Sequence, residues 1–249
     1  MKLLLVNPNT TASMTERLGA SARAVAAPGT EIVAVNPAMG PVSIEGYYDE
    51  AFSVPGLLEE IGRGERDGCA GSIVACFDDT GLDAARTIAN GPVIGICEAA
   101  MHAASLISTG FSVVTTLPRS VRIIEDLALR YGMERRCLRV RAANVAVLDL
   151  EHGGPEPREK LLREVERARD EDGAEVVVLG CAGMTDLVNW VAEQAGIQVI
   201  DGVTAAVKLL EGLVGLGFRT SKLGAYASPL AKPYTGDFAR FAPGDPAGG

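Results

Sequence analysis

Short β-branched apolar runs alternate with longer stretches of helical periodicity along the whole chain. The strand-like runs fall at 2–6, 31–35, 72–75, 93–96, 111–115, 138–141, 176–179 and 197–200, with a last one near 222–226. Helix-like segments lie between them, over 10–26, 56–66, 80–89, 97–108, 118–131, 156–172, 184–195 and 201–216, as apolar residues at helical spacing suggest. The run "VVVL" at 176–179 is continuously apolar, as a strand covered on both faces should be. This alternation predicts βαβ units and an α/β fold with mostly parallel sheets.

The pattern repeats. "IVACFDDTGLDAARTIANGPVIGICEAAMHAA" (73–104) can be laid against "VVLGCAGMTDLVNWVAEQAGIQVIDGVTAAVK" (177–208), so that Cys76 falls on Cys181. The strands "VIGI" (93–96) and "IQVI" (197–200) then meet one residue out of register. "LLVNPNTTASM" (4–14) likewise resembles "SVVTTLPRSVR" (112–122), each running from a strand through polar residues and a proline into a helix. A duplication of this kind predicts two similar Rossmann-like lobes with four-stranded sheets, related by pseudo-twofold symmetry, with the active site in the cleft between them. Residues 1–105 with 217–249 form lobe 1 and residues 106–216 form lobe 2. The final segment, 217–249, Pro- and Gly-rich at its end, is expected to wrap back onto the first lobe.

Composition narrows the function classes. With 47% hydrophobic residues in 249, the chain has ample material for a core. Its apolar runs fall far short of the ~20 residues a membrane span needs. "MKLLLVNPNT" is too brief for a signal-peptide core and reads as a first strand, so a cytoplasmic protein is expected. A formal charge of −9 argues against a nucleic-acid surface. The five cysteines form no C-x-x-C clip and the two histidines no H-E-x-x-H, so reduced thiols and no metal site are expected. No dinucleotide or P-loop glycine pattern is present, and no organic cofactor is indicated.

Cys69, Cys97 and Cys137 read as packing, since a free cysteine behaves as a small hydrophobe. Cys76 and Cys181 differ: each ends a strand, precedes a helix and has its counterpart in the other half. Strand ends of this kind gather ligands in open α/β sheets, and a helix N-terminus lowers a thiol's pKa. Two thiols facing each other across a cleft suit inversion of a carbon stereocentre, one removing a proton and the other delivering one from the opposite side. In a productive pose the sulfurs would stand roughly 7 Å apart. Backbone N–H groups of Phe77, Asp78, Ala182 and Gly183 and the hydroxyls of Thr115 and Thr116 are candidates to hold an enolate-like oxygen. Asn9 is a candidate for a carbonyl or ring N–H, Asp78 for accepting substrate N–H groups. Asp79 reads as a helix cap, His102 and His152 as ordinary helix and loop residues.

Taken together, "VNPNTT", "ACFDDTGLDAAR", "GICEAAMHAA", "FSVVTTLPRSV", "VLGCAGM" and "IDGVTAAVKLLEGLVGLG" resemble the hydantoin racemases of the aspartate/glutamate racemase superfamily. The likeness spans nearly the whole chain, in order. It implies a cofactor-independent racemase of 5-substituted hydantoins, with catalysis by Cys76 and Cys181. The substrate-binding positions it implies are Asn9, Ile44, Phe77, Asp78, Thr115, Thr116, Ala182 and Gly183. The closely similar allantoin racemases share the pattern, and the resemblance further implies a homo-oligomer. Glutamate racemases read C-N-T and G-C-T-H around their cysteines. "CFDD" and "GCAG" here lack those polar side chains, which favours a neutral ring. An amino-acid racemase and a maleate-type cis-trans isomerase of the same superfamily stay open as alternatives, as does a non-catalytic small-molecule binding protein.

Overall fold

The computed structural model describes residues 1–147, 149 and 154–244; His152 and positions 245–249 lie outside the described residues. The first half runs β1 (Lys2–Val6), α1 (Ala12–Val25), β2 (Glu31–Val35), α2 (Tyr47–Arg66), β3 (Gly71–Val74), α3 (Leu82–Ile88), β4 (Val93–Gly95) and α4 (Ile96–Ile107). The second half repeats it with β5 (Phe111–Thr115), α5 (Pro118–Arg130), β6 (Cys137–Ala142), α6 (Pro155–Asp172) and β7 (Val176–Gly180). A 3₁₀ segment (Ala182–Leu187) then leads into α7 (Val188–Ala195), β8 (Gln198–Asp201) and α8 (Gly202–Gly215).

The strands form two all-parallel sheets of matching order, β2-β1-β3-β4 and β6-β5-β7-β8. The central strands β3, β5 and β7 are buried along their whole length, and β1 all but its first residue, because helices cover both faces. Registers match as well. Val6 pairs with Val74 in the first sheet, Val114 with Leu179 in the second. Val74 then pairs with Gly95, and Leu179 with Asp201. Gly95 and Asp201 are therefore equivalent, which shifts the last strands by one residue in the opposite sense to the tetrapeptides aligned by sequence.

Three apolar clusters hold this together. One lies in the first half around Leu4, Val6, Leu57, Ile61 and Val74. Another lies in the second half around Val114, Leu161, Val165, Leu179 and Val191. The third is shared, running from Leu3, Leu5 and Ile73 through Met101 and Ala104 to Phe111, Val113, Val178 and Val207. The sharing comes from the two helices that end the halves. Helix α4 packs on β7 and β8, α8 packs on β3 and β4, and the two helices pack on each other. They meet so closely that a Cβ on Gly202 would stand 2.3 Å from the Ile96 carbonyl oxygen. Glycine is required there by the approach itself.

Two sequence expectations need correction. The run near 222–226 is no strand: Gly224–Tyr226 is a 3₁₀ turn. The segment is held on α3 by side chains instead, with Lys222 Nζ donating to the Arg86 carbonyl (2.8 Å) and Tyr226 Oη to Asp83 (2.9 Å). Thr220 Oγ1 likewise donates to the Gly91 carbonyl at 2.6 Å. Helix α2 begins at Tyr47 and passes through Pro55, a residue that normally marks a helix boundary. Among the described residues no helix is long and apolar enough to cross a membrane.

Candidate active site

The carboxyl ends of four central strands converge on one cavity. β1 and its turn supply Asn7, Asn9 and Met14; the end of β3 supplies Ala75, Cys76, Phe77 and Asp78. From the second half, β5 and α5 supply Thr115, Thr116 and Ser120, and β7 supplies Gly180, Cys181, Ala182 and Gly183. Ile44 and Val147 close it from the loops that follow β2 and β6. In this conformation the cavity encloses about 40 Å³. All ten residues expected from sequence line it. A larger cavity, about 720 Å³, lies between α2, α3 and the C-terminal segment and carries neither cysteine nor histidine in its lining.

Sequence reasoning missed Asn7, Met14, Ala75, Ser120, Val147 and Gly180. Asn7 was within reach of the repeat, since the register of β1 and β5 makes it the counterpart of Thr115. Its amide orders the first loop, donating to Asn9 Oδ1 (2.8 Å) and Thr15 Oγ1 (3.0 Å). Asn9 Oδ1 also accepts from the Thr11 N–H at 2.9 Å, while its NH₂ reaches Met14 Sδ at 3.3 Å. With both lone pairs of its oxygen occupied, the side chain of Asn9 has only its NH₂ left to offer. Thr115 gives its hydroxyl proton to the Gly180 carbonyl at 2.9 Å, so of the two threonines it is Thr116 that can donate to a bound oxygen.

Cys76 and Cys181 are both free thiols. Each sulfur accepts the backbone N–H of the residue two positions on, Asp78 for Cys76 and Gly183 for Cys181. Thr80 Oγ1 adds a contact to Cys76 Sγ at 3.4 Å. The acidity expected from nearby helix termini is reversed. Burial pushes the Cys76 thiol well up, and the Asp78 charge adds to it, against the N–H and Thr80 contacts. Burial likewise pushes Cys181 up to about 12, with Asp78 and Glu45 raising it and Gly183 N–H and Arg17 opposing. At both thiols desolvation of the thiolate outweighs the hydrogen bonds to it. Asp78 is itself raised to about 7 by burial, then by Glu50 and Asp79.

No arginine, lysine or histidine lines the cavity, and among the described residues no group of His, Cys, Asp or Glu is arranged to hold a metal. His102 stands on α4 with its ring beside Tyr131, 6.5 Å between centroids. Cys69 and Cys97 are buried in the core. Asp79 is a cap, as its sequence context suggests, but of α4 rather than of the helix that follows it.

A paired-thiol site between two like sheets can be set beside known proteins. The model of the Asp/Glu/Hydantoin racemase family matches residues 3–210. The chain belongs to that family. It is a racemase, an isomerase. It is 53% identical to the hydantoin racemase of Rhizobium meliloti over 236 residues, covering 95% of this chain and 98% of that protein. It is 46% identical to the hydantoin racemase of Pseudomonas sp. (strain NS671), with 97% of each chain covered. Among solved structures, allantoin racemase from Klebsiella pneumoniae superposes with a TM-score of 0.94 at 48% identity, over 98% of this chain and 99% of that one.

Proposed function

We propose that this racemase inverts C5 of 5-substituted hydantoins, allantoin included, by a two-base mechanism in which Cys76 and Cys181 serve opposite faces of the ring without a cofactor. The observation that carries the reading is the cavity itself. Two thiols enter it from equivalent strand ends of two sheets, and no cationic side chain lines it. An α-amino acid would bring a carboxylate that nothing in this lining can pair, and burying an unpaired charge is strongly unfavourable. A hydantoin brings neutral carbonyl and N–H groups, for which Asn9, Thr116 and Asp78 supply one donor of each kind and an acceptor.

In the working state the pair shares one proton. The thiolate, held by its own N–H donor, takes the C5 proton; the electrons pass to the adjacent carbonyl oxygen, stabilised by donors such as Thr116 and Asn9. The opposite thiol returns a proton to the other face, and the pair ends with roles exchanged. Substrate entry parts the loops carrying Ile44 and Val147, which Glu45 joins by accepting the Val147 N–H at 3.3 Å. The racemase acts in the cytoplasm as a homo-oligomer. Phe218, Leu223, Leu230 and Phe238 are each more than half exposed, and self-association would cover such residues.

The test is chiral chromatography with pure enantiomers of 5-monosubstituted hydantoins, allantoin, aspartate and glutamate, run with EDTA present. Racemisation of the ring compounds and not the amino acids is expected, with Cys76→Ser and Cys181→Ser each losing net racemisation by orders of magnitude. In deuterated water each variant is expected to retain exchange with only one enantiomer. Activity confined to the free amino acids, or a single-cysteine variant racemising near the parent rate, overturns the reading.

A further inference from the structure

The two equivalent helices α4 and α8 are capped in different ways. At α8 the N-cap residue does its own work: Asp201 Oδ1 accepts from the N–H groups of Val203 (2.9 Å) and Thr204 (3.0 Å). At α4 the equivalent residue is Gly95, which has no side chain to offer. The matching N–H groups, those of Cys97 and Glu98, donate instead to Asp79, at 3.0 Å to Oδ1 and 2.9 Å to Oδ2. Gly95 makes room for this visitor, since a Cβ there would stand 2.2 Å from Asp79 Oδ1.

Asp79 lies three residues past Cys76, in the loop that carries the thiol. Its N–H donates to the Cys76 carbonyl at 3.0 Å, and its backbone sits in the left-handed region at φ 46°. An L-residue with a side chain takes that conformation only where its surroundings over-determine it. A third donor comes from the other half of the molecule. Tyr131 Oη, at the end of α5, reaches Asp79 Oδ2 at 2.6 Å. The next residue, Thr80, places its hydroxyl 3.4 Å from Cys76 Sγ. Asp201 has no such reach, because its carboxylate is used on its own helix.

We infer that Asp79 is a positioning residue for Cys76: by borrowing the α4 N-terminus and Tyr131 it ties the loop of the first thiol to both halves of the molecule, a hold the Cys181 loop does not receive from Asp201. The inference rests on the two-thiol reading of the site. It requires that disturbing Asp79 harm the Cys76 half-reaction selectively, beyond any loss of helix capping.

The double variant Asp79→Gly/Gly95→Asp separates the two roles. It gives α4 the self-cap that α8 already has, and glycine accepts the positive φ at position 79. Three quantities are read: the thermal midpoint, the iodoacetamide alkylation rates of Cys76 and Cys181 by peptide mass spectrometry, and deuterium uptake from each pure hydantoin enantiomer. The enantiomer served by Cys76 is the one whose exchange survives in Cys181→Ser. A near-parent midpoint is expected, with Cys76 alkylating about ten-fold faster relative to Cys181 as its loop loosens and solvates. Exchange through Cys76 should fall about 100-fold, as for a misplacement near 1 Å, and exchange through Cys181 should stay within a few-fold. Tyr131→Phe keeps both caps and should move the same ratios in the same direction, less far. A double variant with the parent alkylation ratio and both exchange rates makes Asp79 a cap and nothing more, and equal losses at both thiols also overturn the inference. If the parent exchanges no hydantoin, the proposed substrate class fails, while the alkylation ratio still judges the role of Asp79.

Discussion

Asp78→Asn removes one charge that acts on both thiols at once. Asp78 lines the cavity, and its pKa of about 7 comes first from burial, then from Glu50 and Asp79. Above that pH it is an anion, and taking a proton from either sulfur sets a second negative charge near it. After burial, Asp78 is the largest influence holding the Cys76 proton on, and it also raises Cys181. Two unit charges roughly 6 Å apart at an effective dielectric of about 20 repel by about 2.8 kcal/mol, or about two pKa units. Water in the opened site screens part of this, so a shift of about one to two units is expected. Glu50 near Cys76, and Glu45 and Arg17 near Cys181, are unchanged by the substitution. The assay is kcat/KM for racemisation from pH 6 to 10, a profile that reports ionisations of the free enzyme. Its acid limb should move to lower pH by about one to two units, and so should the pH profiles of alkylation at both cysteines. A rise in KM beside that shift measures the carboxylate's separate part in accepting substrate N–H groups. An acid limb that stays in place or moves to higher pH refutes the argument.

Arg141 and Asp172 form a buried pair, each side chain 4% exposed, with Nε at 2.7 Å from Oδ2 and Nη2 at 2.6 Å from Oδ1. Arg141→Met should cost up to about 3–5 kcal/mol, since only the Ser112 hydroxyl (3.0 Å) and the largely exposed Arg139 (3.4 Å) stay on the buried carboxylate, and Arg141→Met/Asp172→Leu should recover most of it in urea titrations. Burial pushes the Asp172 pKa up, but Arg141 and Ser112 outweigh it and hold it below 3.8. That stability is present above the unfolded pKa and lost as pH falls through the folded one, so acid unfolding should be less steep in Arg141→Met. Light scattering should find a homo-oligomer, and Leu230→Lys/Phe238→Lys should shift it toward monomer without loss of helix signal; a monomeric parent ends that expectation.

Most of the architecture was legible because the inner strands are covered on both faces, so their sequences are apolar runs bounded by polar turns. The cysteine pair was legible through the repeat, which put two thiols at equivalent strand ends. What stayed hidden depends on contacts distant in sequence. Asp79 reads as the start of α3, and nothing near it says that its carboxylate serves Cys97 and Glu98. The thiols' raised proton affinity comes from burial and from Asp78, neither of which a helix-terminus argument contains. The alternation near Leu223 and Tyr226 resembles a strand, but the segment is fixed on α3 by side chains of Lys222 and Tyr226. Gly95 is the reverse case, a small residue whose reason is the side chain of another loop.

The repeat also bears on what asymmetry the site can carry. Backbone geometry treats the thiols alike, each accepting an N–H from two residues on. The side chains around them differ: Asp78 stands where the other half has Gly183, and Asn7 where it has Thr115. For a substrate with one stereocentre the equilibrium constant is unity, so kcat/KM must be equal in both directions whatever these side chains do. Unequal surroundings can move kcat and KM only together. A change at Asp78 or Asp79 therefore cannot bias net racemisation toward one hand. It can separate the two exchange reactions, in which a proton returns to the face it left. For that reason alkylation and isotope exchange, rather than steady-state racemisation, resolve one thiol from the other.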